Sequence, residues 1–290
     1  MIESYLIHLL IMIGIYLILA VALQLAIGYT GLMNLGHIAF FAIGAYVSTI
    51  FTLSGIPFLL AFIFAGIIAM IFGYALAYPV NRLKGDYLAL ATMAFTFVIW
   101  SLLINLKGIT KGPLGIANIP SPSIFGFQLI SPFHFLILVI IIAVLTYYIL
   151  HKIVRSPFGK VLEAVRDQEL TTKILGKNTL KMKSYAFAIS AFFAGLSGSL
   201  YAHYITYISP SAFTILELLP ILAIVIIGGL GSLRGTALAT VILILLPESL
   251  RFIGVSASFI GPARQFVFAL LLILILIYRP KGLMGRVDID

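Results

Sequence analysis

Ionisable side chains that could do chemistry inside an apolar segment are rare in this sequence. Glu217 lies about one turn inside an apolar run, and His8, His37 and His203 are isolated from one another. A charged side chain at the centre of a bilayer costs at least about 2.5–3.5 kcal/mol and therefore tends to be functional. For Glu217 both a functional and a structural role are open, whereas each histidine fits a hydrogen-bonded packing role better than a ligand role.

Motifs of catalysis and of metal binding are missing from the sequence. The chain has no cysteine, which excludes disulfides, thiolate metal sites and cysteine nucleophiles. It also contains no HExxH motif, no serine nucleophile elbow and no aspartate cluster. We therefore predict no catalytic residue, no metal site, no cofactor bound by this chain and no enzymatic activity.

The composition identifies the solvent of the chain. Hydrophobic residues make up 62% of the 290 residues and charged residues only 9%, with a mean hydropathy of +1.19. A soluble domain carries roughly 25% charged residues, so this chain could not cover a globule with polar surface. Lipid is its main solvent. The formal charge of +9 does not predict a nucleic-acid partner, because the basic residues lie mainly in one loop and at the ends of apolar runs.

Apolar runs long enough to cross a bilayer recur along the whole chain, separated by Gly, Pro or charged residues. We predict an all-α, polytopic transmembrane helix bundle that forms a single domain over residues 1–290, with about nine spans and a range of about eight to ten. The runs cover residues 5–27, 36–54, 57–80, 86–106, 130–151, 184–204, 213–230, 236–254 and 259–278.

The basic residues predict the orientation of the bundle. If residues 152–183 are cytoplasmic, 14 of the 18 Lys and Arg side chains lie on that side; the other 4 are Lys107, Lys111, Arg251 and Arg264. Cytoplasmic loops carry an excess of Lys and Arg. We therefore expect the N-terminus outside and the C-terminus in the cytoplasm of a multi-pass protein of the plasma membrane. The 14 are Arg82, Lys84, Lys152, Arg155, Lys160, Arg166, Lys173, Lys177, Lys181, Lys183, Arg234, Arg279, Lys281 and Arg286.

The loop at 152–183 differs from the rest of the chain, since it holds 8 of the basic and 3 of the 9 acidic residues. Ser156 followed by Pro157 predicts a helix start, with serine at the N-cap. Asp167 could cap a second short helix in which Leu170 and Ile174 share one face. Gly176 could close that helix in the left-handed conformation. The loop is either a solvated connector or a docking element for a cytosolic partner.

The stretch at 107–130 is the main external loop. It contains Gly112, Pro113 and Gly115 and is too polar and too broken for a span. A structured turn over a pore mouth and a plain connector are both consistent with it.

Two glycine-rich stretches interrupt the apolar runs around Asn34 and after residue 227. Glycine at membrane depth is tolerated where the backbone breaks or approaches a neighbour closely, often beside a cavity. A role in a translocation path and a role in packing are both open here. The residues that we assign to helix breaks or to a path are Asn34, Gly36, His37, Gly44, Glu217, Gly228, Gly229 and Gly231.

Several segments in order resemble the permeases of branched-chain amino acid ABC importers, of the LivM type. They cover nearly the whole chain. Two positions depart from the family, Lys111 where a second glycine is frequent and Thr171-Thr172 where Ala-Ala is frequent. The matching segments are GYTGLMNLGH at 28–37, RLKGDYLA at 82–89, TKGPLGI at 110–116, SPFG at 156–159, AVRDQE at 164–169, GGLGS at 228–232 and RPKGL at 279–283.

The resemblance implies a transporter made of several chains. Its partners would be a homologous second permease, two cytosolic ATPase subunits and an external solute-binding protein. The loop 152–183 would couple to the ATPase, with a helix at 167–176 in a groove of that subunit. The coupling residues would be Glu163, Arg166, Asp167, Glu169, Leu170, Ile174 and Gly176.

The function that the resemblance implies is import of leucine, isoleucine, valine or a similar aliphatic amino acid. The chain has no GxxxxGK[ST] motif, so ATP hydrolysis is expected on the partner subunits. A permease for urea or short amides in the same family is an alternative. A stand-alone secondary transporter is a further one, and a membrane enzyme fits least.

Overall fold

The computed structural model describes residues 2–83, 85–124, 127–249, 257–279 and 281–285. Lys84, Arg251 and Arg286, which enter the orientation argument, lie outside the described residues. The described chain forms twelve α-helices: α1 (Ile2–Thr30), α2 (His37–Leu53), α3 (Phe58–Val80), α4 (Asp86–Asn105), α5 (Lys107–Thr110), α6 (Pro132–Arg155), α7 (Pro157–Asp167), α8 (Glu169–Ile174), α9 (Thr179–Ile205), α10 (Leu218–Gly228), α11 (Leu233–Ser249) and α12 (Ala257–Tyr278).

Five of these helices, α1, α3, α4, α6 and α9, are long and apolar enough to cross a membrane by length and composition. The helices follow the predicted apolar runs to within a few residues, with one exception. The seventh run begins at 213, but α10 begins only at Leu218, after two 3₁₀ turns at Pro210–Phe213 and Ile215–Glu217. The seventh run is therefore only in part an α-helix.

Short strands add a small β component to the predicted all-α fold. β1 (Ile116–Ala117) pairs antiparallel with β4 (Tyr207–Ile208), so that Ile116 lies opposite Ile208. β2 (Ser123–Ile124) pairs with β3 (Phe127–Gln128). The β1–β4 pair ties the loop at 107–130 to the segment that follows α9.

Close backbone contacts build the centre of the bundle, where α9 packs against α1, α2 and α3. A Cβ atom at Gly44 would overlap the carbonyl oxygen of Gly195, and one at Gly198 would overlap that of Phe41. Small residues allow this approach in membrane helices, where dispersion contacts drive association. Gly44 thus lies in a close contact between α2 and α9, and its assignment to a translocation path stays a prediction.

The two ends of the bundle differ in charge. We call the end that holds α7, α8 and the C-terminus of α1 the basic end, and the other end, with β1 and β4, the opposite end. Lys107 and Lys111 lie at the opposite end. The described basic residues at the basic end are Arg82, Lys152, Arg155, Lys160, Arg166, Lys173, Lys177, Lys181, Lys183, Arg234, Arg279 and Lys281.

Two helices begin near the middle of the bundle. The Nε2–H of His37, the first residue of α2, donates to the carbonyl of Leu19 at 3.0 Å, and Leu19 belongs to the central part of α1. α10 has 11 residues, a length of about 16 Å, and ends at the basic end. The non-helical segment at 31–36 leads to α2 from the basic end, and the segment at 206–217 leads to α10 from the opposite end.

Candidate functional site

Helix α7 begins as the sequence predicts. Pro157 is its first residue, and the Ser156 hydroxyl at the N-cap accepts a long hydrogen bond of 3.4 Å from the Gly159 N–H. Leu162 and Val165 are buried against the bundle, and Glu163 on the same helix is half-buried. One face of α7 is therefore fixed to the bundle, and the polar face is directed away from it.

The prediction that Asp167 caps α8 is wrong. Asp167 is the last residue of α7, and its carboxylate accepts a 2.8 Å bond from the Nε–H of Arg166. Gln168, in an extended conformation, takes the N-cap position without a side-chain cap bond. Gly176 follows the end of α8 with φ of +79°, a conformation that glycine adopts without steric cost. The predicted left-handed end is confirmed.

Glu169 fixes the start of α8 to the start of α9. Its carboxylate accepts bonds from Lys183 Nζ at 2.7 Å and from the Thr179 hydroxyl at 3.0 Å, and it pairs with Lys173 at 3.0 Å. Partial burial acts to raise the pKa of Glu169, but the bonds from the two lysines outweigh burial and lower the pKa to about 2. Glu169 is thus ionised at neutral pH.

Leu170, Ile174 and Leu175 form an apolar surface that nothing in the described chain covers. Their side chains are 71%, 85% and 75% exposed. Leu170 and Ile174 lie one turn apart on α8, as the sequence predicts. We call these three residues the α8 apolar surface. Large exposed apolar side chains next to charged ones are typical of a protein-interaction surface.

Arg166 joins this loop to the glycine-rich junction between α10 and α11. Its Nη1–H donates to the carbonyl of Gly28 at 2.7 Å. A Cβ atom at Gly28 would lie 2.7 Å from the Gly231 nitrogen, and Gln24 Nε2 donates to the carbonyl of Gly229 at 2.8 Å. A movement of α7 would therefore reach the junction directly. The contact between Arg166 and Gly28 was not predicted, because the two residues lie 138 positions apart.

The junction itself requires glycine. Gly229 has φ of +97°, and a Cβ atom at Gly228 would lie 2.6 Å from the Thr236 nitrogen. Gly231 has φ of +77°. The structure brings Gly228, Gly229 and Gly231 together with the end of α1, where α10 turns sharply into α11.

Asn34 and Gly36 lie in the non-helical segment before α2, and His37 is the first residue of that helix. Asn34 Oδ1 accepts a 3.0 Å bond from the Gly36 N–H. The hydroxyls of Thr92 and Thr96 on α4 bond to the Leu35 N–H and carbonyl, each at 3.0 Å. These threonines satisfy an irregular backbone inside the bundle. Sequence reasoning missed them, although their spacing of four in an apolar run is a usable signal.

Two polar atoms near the start of α2 are buried without a hydrogen-bond partner in the described residues, Asn34 Nδ2 and His37 Nδ1. Both residues are fully buried. Since Nε2 of His37 donates to a carbonyl, Nδ1 of the neutral ring is an acceptor. His37 thus has one ring nitrogen bonded to a backbone carbonyl and one that no described group satisfies.

Glu217 separates two cavities in the middle of the bundle. One has a volume of about 150 Å³ and extends towards His8 and Glu248; the other, of about 120 Å³, is lined by Leu19, Ile38 and Phe41. Glu217 lines both. The sequence suggests that Glu217 lies about one turn inside an apolar span. In the structure it instead ends a 3₁₀ turn and directly precedes α10. Within the described residues, no group of three or more His, Asp or Glu side chains could hold a metal ion.

The described parts of the loop at 107–130, residues 107–124 and 127–130, are structured. Pro113 lies in the 3₁₀ turn Gly112–Leu114, and a Cβ atom at Gly115 would overlap the carbonyl oxygen of Ile208. The Thr110 hydroxyl donates to the carbonyls of Leu103 and Leu106. The loop therefore packs over the segment at 206–217 that leads to Glu217.

Known proteins that are similar to this chain are transport proteins. The chain is 36% identical to the high-affinity branched-chain amino acid transport system permease protein LivM of Salmonella typhimurium, over 93% of this chain and 68% of that protein. It is 26% identical to the probable branched-chain amino acid transport permease protein LivM of Methanocaldococcus jannaschii, over 93% and 90%. It is also 26% identical to the permease protein LivH of Salmonella typhimurium, over 95% and 92%.

The family model described as branched-chain amino acid transport system, permease component, matches residues 5–276. No solved structure matches the chain significantly. The resemblance noted in the sequence is thereby confirmed. The chain is a membrane-embedded transport protein and belongs to the family of branched-chain amino acid transport permeases.

Proposed function

We propose that this chain is one of two permease subunits of an ABC importer for leucine, isoleucine, valine or a similar aliphatic amino acid. The names of the LivM and LivH relatives support the substrate class and the presence of a second, homologous permease. The chain itself binds no cofactor in this proposal. Two ATPase subunits supply the energy, and an external binding protein delivers the solute.

The proposed topology places the basic end in the cytoplasm of the cell. Twelve described Lys and Arg side chains lie there, and a cytoplasmic excess of basic residues is the general rule. The chain then crosses the plasma membrane about nine times, with the N-terminus outside and the C-terminus inside. Two of these crossings are α2 and α10 together with the non-helical segments before them.

The coupling residues form the surface that binds the ATPase. The α8 apolar surface is the observation that carries the proposal, since Ile174 is 85% exposed at the basic end. Glu169 holds α8 in place through Lys183. A groove on the ATPase that receives Leu170 and Ile174 would push α8 and α7 as one body. Arg166 would pass the movement to Gly28 and the junction between α10 and α11.

The translocation path runs along the non-helical segments in the middle of the bundle. Helices broken at mid-membrane frame the substrate sites of many transporters. Asn34, Gly36 and His37 form one break, and Glu217 begins the other. The loop at 107–130 covers the outer mouth, where Gly112, Pro113 and Gly115 shape its turn.

The test is a co-purification with the ATPase. A double variant, Leu170→Ser with Ile174→Ser, is co-expressed with the second permease and the ATPase subunits of the same transporter. We expect it to insert into the membrane but to lose the ATPase, because the apolar contact is gone. Leu114→Ser is the matched control, since Leu114 is 83% exposed at the opposite end. Retention of the ATPase by the double variant would contradict the proposal.

A further inference from the structure

Glu217 occupies an unusual position for a carboxylate. It lines one cavity with Tyr16 and Leu19 of the central part of α1 and directly precedes α10, whose 11 residues span about 16 Å to the basic end. Since a bilayer core is about 30 Å thick, Glu217 lies near mid-membrane. An ionisable residue at this depth faces a water-filled cavity or the interior of a bundle.

The side chain of Glu217 is exposed on the surface of this chain. Its neighbours Leu216 and Leu219 are 58% and 55% exposed. Because a carboxylate at mid-membrane cannot face lipid without a large cost, this surface faces a path that is open to water. In a transporter with two permeases, that path lies where this surface meets the second subunit.

Capping of α10 does not explain why a glutamate stands at position 217. Glu217 takes the N-cap position of α10, but its side chain accepts no capping hydrogen bond from that helix. The positive end of the helix dipole nevertheless favours the ionised carboxylate at this position. Glu217 thus places a carboxyl group at a cavity that Tyr16 and Tyr201 also line.

The cavity next to Glu217 combines apolar side chains with the side chains of Tyr16 and Tyr201. Leu19, Ile38 and Phe41 line it, and its volume is about 120 Å³. Pockets for drug-sized ligands measure roughly 300–1,000 Å³, so only a small group fits. A carboxylate beside a small, partly apolar cavity matches a primary ammonium group beside a short branched side chain.

We propose that Glu217 binds the ammonium group of the transported amino acid at mid-membrane, while its aliphatic side chain occupies the cavity lined by Leu19, Ile38 and Phe41. This inference rests on the proposed function. It makes Glu217 a specificity-determining residue, because urea, a short amide or a sugar has no ammonium group and gains nothing from the carboxylate.

The first test measures leucine uptake by the complete transporter in proteoliposomes, with the binding protein saturated. Glu217→Gln and Glu217→Ser remove the charge, and serine is itself a good N-cap residue. We expect both to lower the rate of leucine uptake at least about tenfold, the effect of losing one hydrogen bond to a charged group. Glu217→Asp keeps the charge and should stay within a few-fold of the parent chain. Glu3→Gln, at the exposed start of α1, is the matched control.

Two outcomes overturn the inference. Uptake by Glu217→Ser at the rate of the parent chain would show that the charge is not used. Equal losses in Glu217→Asp and Glu217→Gln would show that shape alone matters. If the parent transporter moves no aliphatic amino acid, neither leucine, isoleucine and valine nor a similar one, the proposed function fails, and the inference fails with it.

A second measurement tests the access of water to position 217 and does not depend on the rate of transport. The chain has no cysteine, so Glu217→Cys carries a unique thiol. We expect an aminoethyl thiosulfonate, a water-soluble reagent, to modify this thiol in the assembled transporter. Mass spectrometry of this chain measures the modification. Ile141→Cys, where Ile141 is 58% exposed on α6, should not react, because lipid surrounds it. An unreactive thiol at position 217 would contradict the inference.

Discussion

Single side chains hold the loop between α6 and α9 in place, and Glu169 is central among them. Its folded pKa of about 2 lies below the ordinary value of 4.5. The stabilisation that this carboxylate supplies is therefore fully present above pH 4.5 and is lost as the pH falls towards 2. We expect the amide protection of residues 169–179, corrected for intrinsic exchange, to be constant from about pH 8 to 5 and to fall below pH 4.5.

The variant Glu169→Gln provides the comparison for this pH dependence. It should be less protected at neutral pH than the parent chain, and its protection should not change between pH 5 and pH 2 beyond the change of the rest of the chain. A parent chain whose protection falls between pH 7 and pH 5 would show that another group controls the loop.

Reversing the charge at Glu169 should separate ATP hydrolysis from transport. Glu169→Lys places a third ammonium group beside Lys173 and Lys183, which are 3.0 Å and 2.7 Å from the carboxylate. Like charges this close repel one another, so we expect α8 to leave its position on α9. Leucine uptake should be lost while ATP hydrolysis by the assembled transporter continues. Asp167→Asn, at a carboxylate whose side chain is 62% exposed, should have a smaller effect. Coupled uptake in Glu169→Lys would contradict the coupling role of α8.

Local sequence predicted the residues of this loop only in part. The start of α7 at Ser156 and the end of α8 at Gly176 follow from the conformational preferences of Ser, Pro and Gly. The N-cap of α8 does not follow from these preferences, because the Asp167 carboxylate bonds to Arg166 and does not cap α8. The bond from Arg166 to Gly28 depends on tertiary structure. No local pattern could have predicted it.

Among the secondary-structure elements, α10 shows what hydropathy does not measure. Phe213, Ile215 and Leu216 continue the apolar run before α10, so the run looks long enough to span a bilayer. Hydropathy measures the free energy of transfer to lipid and does not determine the backbone conformation. Pro210 and the packing of Phe213 against Phe41 and Tyr46 favour 3₁₀ turns in this segment. The pairing of β1 with β4 was not predicted either, because it joins segments that are far apart in sequence.

The crossing of α2 and α9 depends on Gly44. A Cβ atom there would overlap the backbone of Gly195, which cannot rotate away. We expect Gly44→Ala to lower the free energy of unfolding by about 1–3 kcal/mol, the usual cost of overpacking. The midpoint of thermal unfolding in detergent measures the effect.

Gly108→Ala is the matched control for this crossing, because a Cβ atom at Gly108 meets no atom within 4 Å. It should unfold at the temperature of the parent chain. If Gly44→Ala unfolded there as well, α2 and α9 would have to be further apart than the structure places them.

At the scale of the whole molecule, the separation of charge makes the bundle polar from end to end. The order of the elements brings basic residues from four separate parts of the sequence to one end, because the ends of α3, α6 and α12, the starts of α9 and α11, and the helices α7 and α8 meet there. The positions of Lys and Arg along the sequence could predict this separation, since they mark the ends of apolar runs. They could not predict that α8 is bound to α9 and α7 to α1, which makes the basic end a single mechanical unit.

The orientation of that unit decides whether the proposed coupling is possible, because ATPase subunits are cytosolic. In a chain without cysteine, Lys177→Cys and Lys111→Cys place single thiols at the basic end and at the opposite end. We expect a membrane-impermeant maleimide applied to intact cells to label Lys111→Cys, and to label Lys177→Cys only after the membrane is opened. Both lysines are exposed, so a difference between the two reports sidedness and not burial. Labelling of Lys177→Cys in intact cells would place α8 outside the cell, where no ATPase could bind the surface formed by Leu170, Ile174 and Leu175.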